Sequence, residues 1–254
     1  MFTIDRNLCV NCGACVKTCP MAIFYRDKEG TVAIRDGKCL DCFHCTAACP
    51  TGAITHDELG AASLPVSKED SSLAAKFRRR RSIRHFKAEI PTREVIQTAL
   101  DGAAYAPSAK NARPYGWTVV LGREKVDDLY RTVLEWAKDQ PDFRHLIWVD
   151  RRGGNPVTCG APCLVLVHAA DGSNYPDTDS IIAMTLAEQL LNDAGLGTCW
   201  GGYFHRASQQ CEALQAKLNI PEGHRVYGVL MVGYPEERFP RDPVRPAAQI
   251  NWVE

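Results

Sequence analysis

Eight cysteines near the N-terminus carry the first chemistry. Cys9, Cys12, Cys15 and Cys19-Pro20 follow the pattern C-x2-C-x2-C-x3-C-P, and Cys39, Cys42, Cys45 and Cys49-Pro50 repeat it without change thirty residues later. Three thiolates in such close succession can wrap three corners of an iron–sulfur cube, and the fourth, followed by proline, leads the chain away to the other cluster. This spacing assigns Cys9, Cys12, Cys15 and Cys49 to one 4Fe-4S cluster, and Cys39, Cys42, Cys45 and Cys19 to a second. Small neighbours (Gly13, Ala14, Ala47, Ala48) let the backbone curl around a cube and aim N–H groups at its sulfides. Two other uses of cysteine fit poorly. Zinc takes pairs of C-x2-C, four ligands per ion, and leaves the third cysteine of each repeat without a role. A disulfide framework needs an oxidising compartment, and Asp5, Arg6 and then the first motif follow Met1 directly, so no secretory leader is expected.

The repeated motif resembles the bacterial two-cluster ferredoxin over residues 1–57. Fewer than sixty residues bury little apolar surface, so ligation must supply much of the stability of such a domain. Residues 58–72 carry Gly, Pro, Ser and charge without a sustained apolar period and read as a linker. A second domain is expected over 73–254. At 254 residues the chain has room for both. Lys+Arg and Asp+Glu balance at 30 each, which argues against a general nucleic-acid or membrane surface. The longest apolar run, near "CLVLVHAA", is too short to span a bilayer. A cytoplasmic location is expected.

The second chemistry begins at "RRRRSIRHF". Four bare arginines would ordinarily read as a solvated charge run or a nucleic-acid patch. Here Ser82 and Arg84 follow, and alternate arginines with a hydroxyl between them make a clamp for phosphate, because guanidinium forks match its oxygens two at a time. Arg241 and Arg245, in "RFPRDPVRPAAQINW", form a second basic set far along the chain, as if both converge on one dianionic group. "APSAKNARPYGW" supplies Pro107, Ser108 and Asn111. "GLGTCWGGYF" sets glycine pairs around Cys199-Trp200, where backbone must come close to something flat, and "GYP" closes a strand at Gly233 to Pro235.

Taken in this order, these motifs resemble the nitroreductase family of FMN-dependent oxidoreductases over about residues 75–254. The resemblance implies an α+β homodimer with FMN at the subunit interface and a C-terminal segment that embraces the partner. It implies that Arg80, Arg81, Ser82 and Arg84 contact the FMN phosphate and the ribityl chain or pyrimidine edge. Pro107, Ser108 and Asn111 would reach the flavin from the neighbouring subunit. Trp200, Gly201 and Gly202 would line the isoalloxazine, with a backbone N–H near its reactive nitrogen, and Arg245 with Arg241 would complete the phosphate site. No protein residue is needed as nucleophile or acid–base catalyst, since the cofactor carries the chemistry. One departure stands out: the family's glutamine before Pro114 is Arg113 here. Cys159 and Cys163 read as small core residues, and His44, His85, His168 and His205 show no ligand-like spacing.

Clusters carry electrons singly, and a flavin can accept them so and deliver a hydride pair. The expected activity is therefore electron delivery through two internal clusters, from reduced ferredoxin, to FMN and then to a small electrophile such as a nitroaromatic, quinone or activated alkene. The alternatives are an NAD(P)H-dependent nitroreductase with accessory clusters, a non-catalytic flavin and iron–sulfur carrier or redox sensor, and an oxygen-dependent flavin-fragmenting enzyme.

The elements that must position these residues are legible from periodicity. "SSLAAKFRRRR" predicts a short helix capped by Ser71 or Asp70. "PTREVIQTALDGAAYA" places Val95, Ile96, Ala99, Leu100 and Ala103 on one helical face after the capping Thr92. "EKVDDLYRTVLEWAKD" is an amphipathic helix, and "DSIIAMTLAEQLLNDAGLG", apolar nearly all round, predicts a buried helix closed at Gly195. "WTVVLG", "CLVLVHAA" and "YGVLMVGYP" read as buried strands. Mixed helices and strands make the class α+β.

Overall fold

The computed structural model describes residues 1–57, 65–67 and 69–254. Residues 58–64 and 68, which belong to the expected linker, lie outside the described residues. The chain forms two compact units, one of residues 1–79 with 238–254 and one of residues 80–237. This grouping departs from the sequence reading at two places. The helix over Leu73–Arg79 and the C-terminal segment, both expected in the second domain, belong to the same unit as the cysteine-rich residues.

The first unit contains β1 (Phe2–Ile4), α1 (Ala14–Thr18), β2 (Phe24–Arg26), β3 (Val32–Ile34), α2 (His44–Ala48), β4 (Ile54–His56) and α3 (Leu73–Arg79). β1 pairs antiparallel with β4, and β2 with β3. Each cysteine repeat enters its short helix through left-handed backbone, at Asn11 and Gly13 in the first and at Asp41 and Phe43 in the second. Gly13 adopts this conformation at little cost. Phe43 is held in it by packing, its ring edge-on to Phe2 and to His56 at 5.4 Å each. The core is small: Phe2, Ile23, Phe24, Val32, Phe43 and Ile54, with Cys15, Cys45 and Cys49 buried among them. The cap of α3 lies one residue beyond the expected Ser71. The Ser72 hydroxyl accepts the Ala75 N–H at 3.2 Å, and Asp70 in turn accepts the Ser72 N–H at 3.0 Å.

The second unit contains α4 (Arg93–Ala103), β5 (Tyr115–Leu121), α5 (Arg123–Ala137), α6 (Arg144–Asp150), β6 (Cys163–Ala170), α7 (Pro176–Asp193), β7 (Gly197–Trp200), α8 (Gly202–Gln210), α9 (Glu212–Leu218) and β8 (His224–Gly233). The four strands form one antiparallel sheet in the order β5-β6-β8-β7. β6 is buried along nearly its whole length, which is why its sequence runs apolar without alternation. Thr92 caps α4 by accepting the Val95 N–H. Ile96, Leu100, Met184 and Leu191 from α4 and α7 close over Val165, Val167 and Leu230 of the sheet. α7 starts at Pro176 and ends where Gly195, at φ +84, lets the Leu196 N–H return to the Leu191 carbonyl at 3.0 Å. It is not buried all round: Ile181 and Ile182 are each 37% exposed. Among the described residues, no helix is long and apolar enough to cross a membrane.

Candidate cluster and flavin sites

The first unit brings the eight cysteines together as two quartets. Cys9, Cys12, Cys15 and Cys49 line one small cavity with Val10, Gly13 and Ala14, and Cys19, Cys39, Cys42 and Cys45 line another with Pro20, Leu40 and Phe43. Their surroundings suit soft anionic ligands. The backbone N–H groups of Ile23, Asp41 and Ala53 donate to the sulfurs of Cys19, Cys39 and Cys49 at 3.3, 3.4 and 3.3 Å. Burial, reinforced by the neighbouring Cys49, pushes the Cys15 thiol up to about 11, and burial together with Cys42 pushes Cys45 up as well. These thiols need a bound cation to be held as thiolates, which is what cluster ligation supplies.

In the second unit the segment after the arginine run lies along the open side of β7. Ser82 bridges Thr198, the Ile83 N–H donates to the Thr198 carbonyl at 2.8 Å, and Phe86 bridges Pro235. Gly197 leaves room for Ile83, which would stand 2.7 Å from a Cβ there. Beside this junction opens a cavity of about 340 Å³, lined by Arg84, Cys159, Cys199, Trp200, Gly201, Gly202, Tyr203, Arg206 and Met231, with Pro156 and Val157. The volume falls in the range of small-molecule sites. α8 starts at Gly202, so its N-terminal end opens at this wall.

The arginines divide their tasks. Arg84 faces the cavity, and its backbone N–H is fixed by the Glu237 carboxylate at 2.9 Å. Arg80 pairs with Glu188 at 3.3 Å. Arg81 is buried, its guanidinium donating to the Arg80 carbonyl. Glu188 is a buried hub that sequence reading missed. Besides Arg80 it accepts the Thr198 hydroxyl at 2.9 Å and the Trp200 indole N–H at 3.2 Å, which ties β7 to α7. A carboxylate in the middle of α7, between the apolar Ala187 and the buried Leu191, was the available signal. Cys159, read as a core residue, instead borders the cavity in left-handed backbone at φ +52. Burial and the nearby Cys199 raise its thiol to about 12 against the opposing pull of Arg84. Cys163 is fully buried in β6. Tyr203 and Arg206 were also missed. The Tyr203 hydroxyl lies 3.0 Å from Nε2 of His145.

Two groups of expected flavin residues are not among those that line this cavity. Pro107 and Asn111 are exposed, and Asn111 and Arg113 lie in left-handed backbone. Their loop is pinned by the Ser108 hydroxyl, which accepts the Arg113 N–H at 2.9 Å, and by Asp179, which accepts the Ala109 N–H at 3.1 Å. Arg241 and Arg245, expected at the phosphate, belong to the first unit and donate to carbonyls there: Arg241 to Pro50, Arg245 to Asp41 and Cys42. A larger groove of about 730 Å³ runs along β5, bordered by Arg93, Glu124, Lys125 and Asp128, and none of the expected flavin residues borders it.

The model of the nitroreductase family matches residues 77–234, more than half of the chain. The chain belongs to the nitroreductase family. A model described as a 4Fe-4S dicluster domain matches residues 1–50 of this nitroreductase-family chain. Its relatives include an iodotyrosine deiodinase of Thermotoga neapolitana, 28% identical over 65% of this chain and 90% of the other. A protein of Archaeoglobus fulgidus described as a putative NADH dehydrogenase/NAD(P)H nitroreductase is 30% identical over 62% of this chain and 82% of its own length. Among solved structures, an FMN-bound nitroreductase from Desulfitobacterium hafniense superposes with a TM-score of 0.60 at 24% identity, covering 71% of this chain and 97% of that one. One from Bacteroides fragilis, also with FMN, gives 0.60 at 24% identity over 72% and 100%. These likenesses establish the α+β fold of the second unit.

Proposed function

We propose that this chain is an FMN-dependent oxidoreductase that takes electrons in through two 4Fe-4S clusters and reduces a small electrophile. The observation that carries the reading is the joining, in one nitroreductase-family chain, of two complete cysteine quartets with a cavity walled by Arg84 and the Trp200–Gly202 backbone. Cys9, Cys12, Cys15 and Cys49 would hold one cluster, and Cys19, Cys39, Cys42 and Cys45 the other. Arg84 would supply positive charge to the flavin, Trp200 to Gly202 would bound it, and Glu188 would keep Arg80 and Trp200 in place behind that wall. When bound, FMN supplies the step from single electrons to a hydride pair.

A homodimer fits the same reading. Tyr105, Tyr175, Ile181 and Ile182 leave apolar surface exposed on a single chain, and the loop of Pro107, Ser108 and Asn111 would serve the flavin of the partner. A cytoplasmic location suits ligands that must stay reduced. The donor is reduced ferredoxin, and the acceptor is a nitroaromatic, quinone or activated alkene. NADH or NADPH is the second reading, favoured by the description of the Archaeoglobus fulgidus relative. An anaerobic titration that follows flavin bleaching with reduced ferredoxin, NADH and NADPH in turn decides between them. Rapid bleaching by ferredoxin alone is expected. Equal bleaching by a nicotinamide in protein stripped of iron would favour the second reading.

A further inference from the structure

The thirty-residue repeat extends beyond the ligands. Asn11 corresponds to Asp41, Gly13 to Phe43, and Arg26 on β2 to His56 on β4. In the first repeat Arg26 reaches back over the ligand loop. Its guanidinium donates to the Asn11 carbonyl at 3.0 Å and to the Gly30 carbonyl at 2.6 Å. It also occupies the space that a side chain at Gly13 would need, 2.6 Å from the Cβ position.

The second repeat has no arginine at this place on β4. His56 is buried there, edge-on to Phe2 and Phe43. The cation comes instead from the far end of the chain. Arg245 donates to the carbonyl of Asp41, the counterpart of Asn11, and to that of Cys42, each at 3.2 Å, with its guanidinium 5.7 Å from the Phe43 ring centre. The tail leading to it is anchored on the same repeat. The Arg241 N–H donates to the Ala47 carbonyl at 3.2 Å. Its guanidinium lies 2.9 Å from where a Cβ on Gly52 would stand, and the Phe239 ring sits edge-on to His44 at 5.4 Å.

We propose that Arg245 is the second repeat's counterpart of Arg26: a cation, delivered by the C-terminal tail, that lies over the ligand loop of Cys39, Cys42 and Cys45 and raises the reduction potential of their cluster. The inference rests on the reading of the quartets as two cluster sites. Reduction by an external one-electron donor adds one negative charge to a cluster and its thiolates. A fixed guanidinium at the loop stabilises that form more than the oxidised one, and net charge and hydrogen bonding are among the levers that set such potentials. The fork matters as well as the charge, because Arg245 spans two successive carbonyls.

The test uses the full-length protein under anaerobic conditions, with iron and sulfide measured first. A dithionite titration followed by electron paramagnetic resonance resolves two one-electron steps. Arg245→Gln is expected to lower one reduction equilibrium about tenfold, roughly 59 mV for a one-electron couple. Arg26→Gln is expected to lower the other step by a similar factor, and Arg245→Lys to recover most of the loss. Arg245→Met, which keeps a stem over Phe43, replaces the Gln variant if that one sheds iron. Steps unmoved in the neutral Arg245 variants, or movement of the same step by Arg26→Gln, overturn the proposal. A wild-type protein without iron and sulfide overturns the cluster reading itself.

Discussion

The two units hold themselves together by opposite means. The cysteine-rich unit has a core of a few apolar side chains, with Cys15, Cys45 and Cys49 buried among them. The unit of residues 80–237 buries Leu146, Leu164, Leu166, Met184, Leu191, Phe204, Leu214 and Leu230 almost completely, and its candidate site is a cavity at one end of the sheet. In the first unit the cysteines proposed to hold clusters are among the residues that make the core. In the second, packing provides stability and the site is built on top of it. Ligand loss in the first unit and site loss in the second are therefore expected to have different structural consequences.

Variants can break or sharpen this contrast. The largest effect is expected from Cys12→Ala, since metal ligation in small domains is worth on the order of 10 kcal/mol of folding free energy. Iron content falls and limited proteolysis opens residues 1–57, while the circular dichroism and flavin content of the second unit persist. Loss of both units together would erase the distinction. Leu191→Ala reverses the pattern. Leu191 is fully buried between α7 and the sheet, and its truncation costs about 2–5 kcal/mol, measured as a lowered denaturant midpoint for the second unit with iron retained. Arg84→Ala touches the site without the core. Losing one charge-assisted contact costs about 1.5–3 kcal/mol, so flavin should dissociate tenfold to hundredfold more readily in a fluorescence titration, with the melting temperature of the flavin-free protein unchanged.

The smallest effect is a pH slope confined to the second unit. His168 is buried with its Nδ1 2.9 Å from Nδ1 of His224. Burial first, and His224 second, hold its pKa below the usual histidine value, with the Trp117 backbone opposing. The unfolded chain therefore takes up the proton more readily than the folded one. Stability is fully present above about pH 6.5 and declines as pH falls through the depressed folded value. His168→Gln is expected to flatten that slope in melts between pH 5 and 8 (roughly the histidine range).

Legibility followed the same division. The eight cysteines proposed as cluster ligands follow one another at fixed spacing over residues 9–49, so that proposal can be made before any fold is known. The strands "CLVLVHAA" and "YGVLMVGYP" were also legible, because burial on a sheet leaves continuous apolar runs, whereas "WTVVLG", expected to be buried as well, forms the edge strand β5 and is only partly covered. The cavity proposed for the flavin was only half legible. Arg84, expected at the flavin from the hydroxyl and arginines beside it, does border that cavity. Glu188 was concealed in the long helix α7, and Tyr203 and Arg206 gained their meaning only from the cavity they line. Cys159 looked like core because its left-handed backbone is invisible in sequence. Arg241 and Arg245 were expected at a phosphate because basic residues distant in sequence carry no record of which surface they pack on. The structure sets them on the second cysteine repeat.

The claim that the clusters feed the flavin is tested most directly by rapid mixing of reduced ferredoxin with wild-type and Cys12→Ala protein, both loaded with FMN and both assayed for iron. Fast flavin bleaching is expected in the wild type. In the variant, bleaching by ferredoxin should be slowed by at least an order of magnitude, while a small reductant with direct access to the flavin bleaches both proteins equally. Equal bleaching by ferredoxin in a variant shown to lack its first cluster would contradict the account, because electrons would then reach the flavin without passing through that cluster.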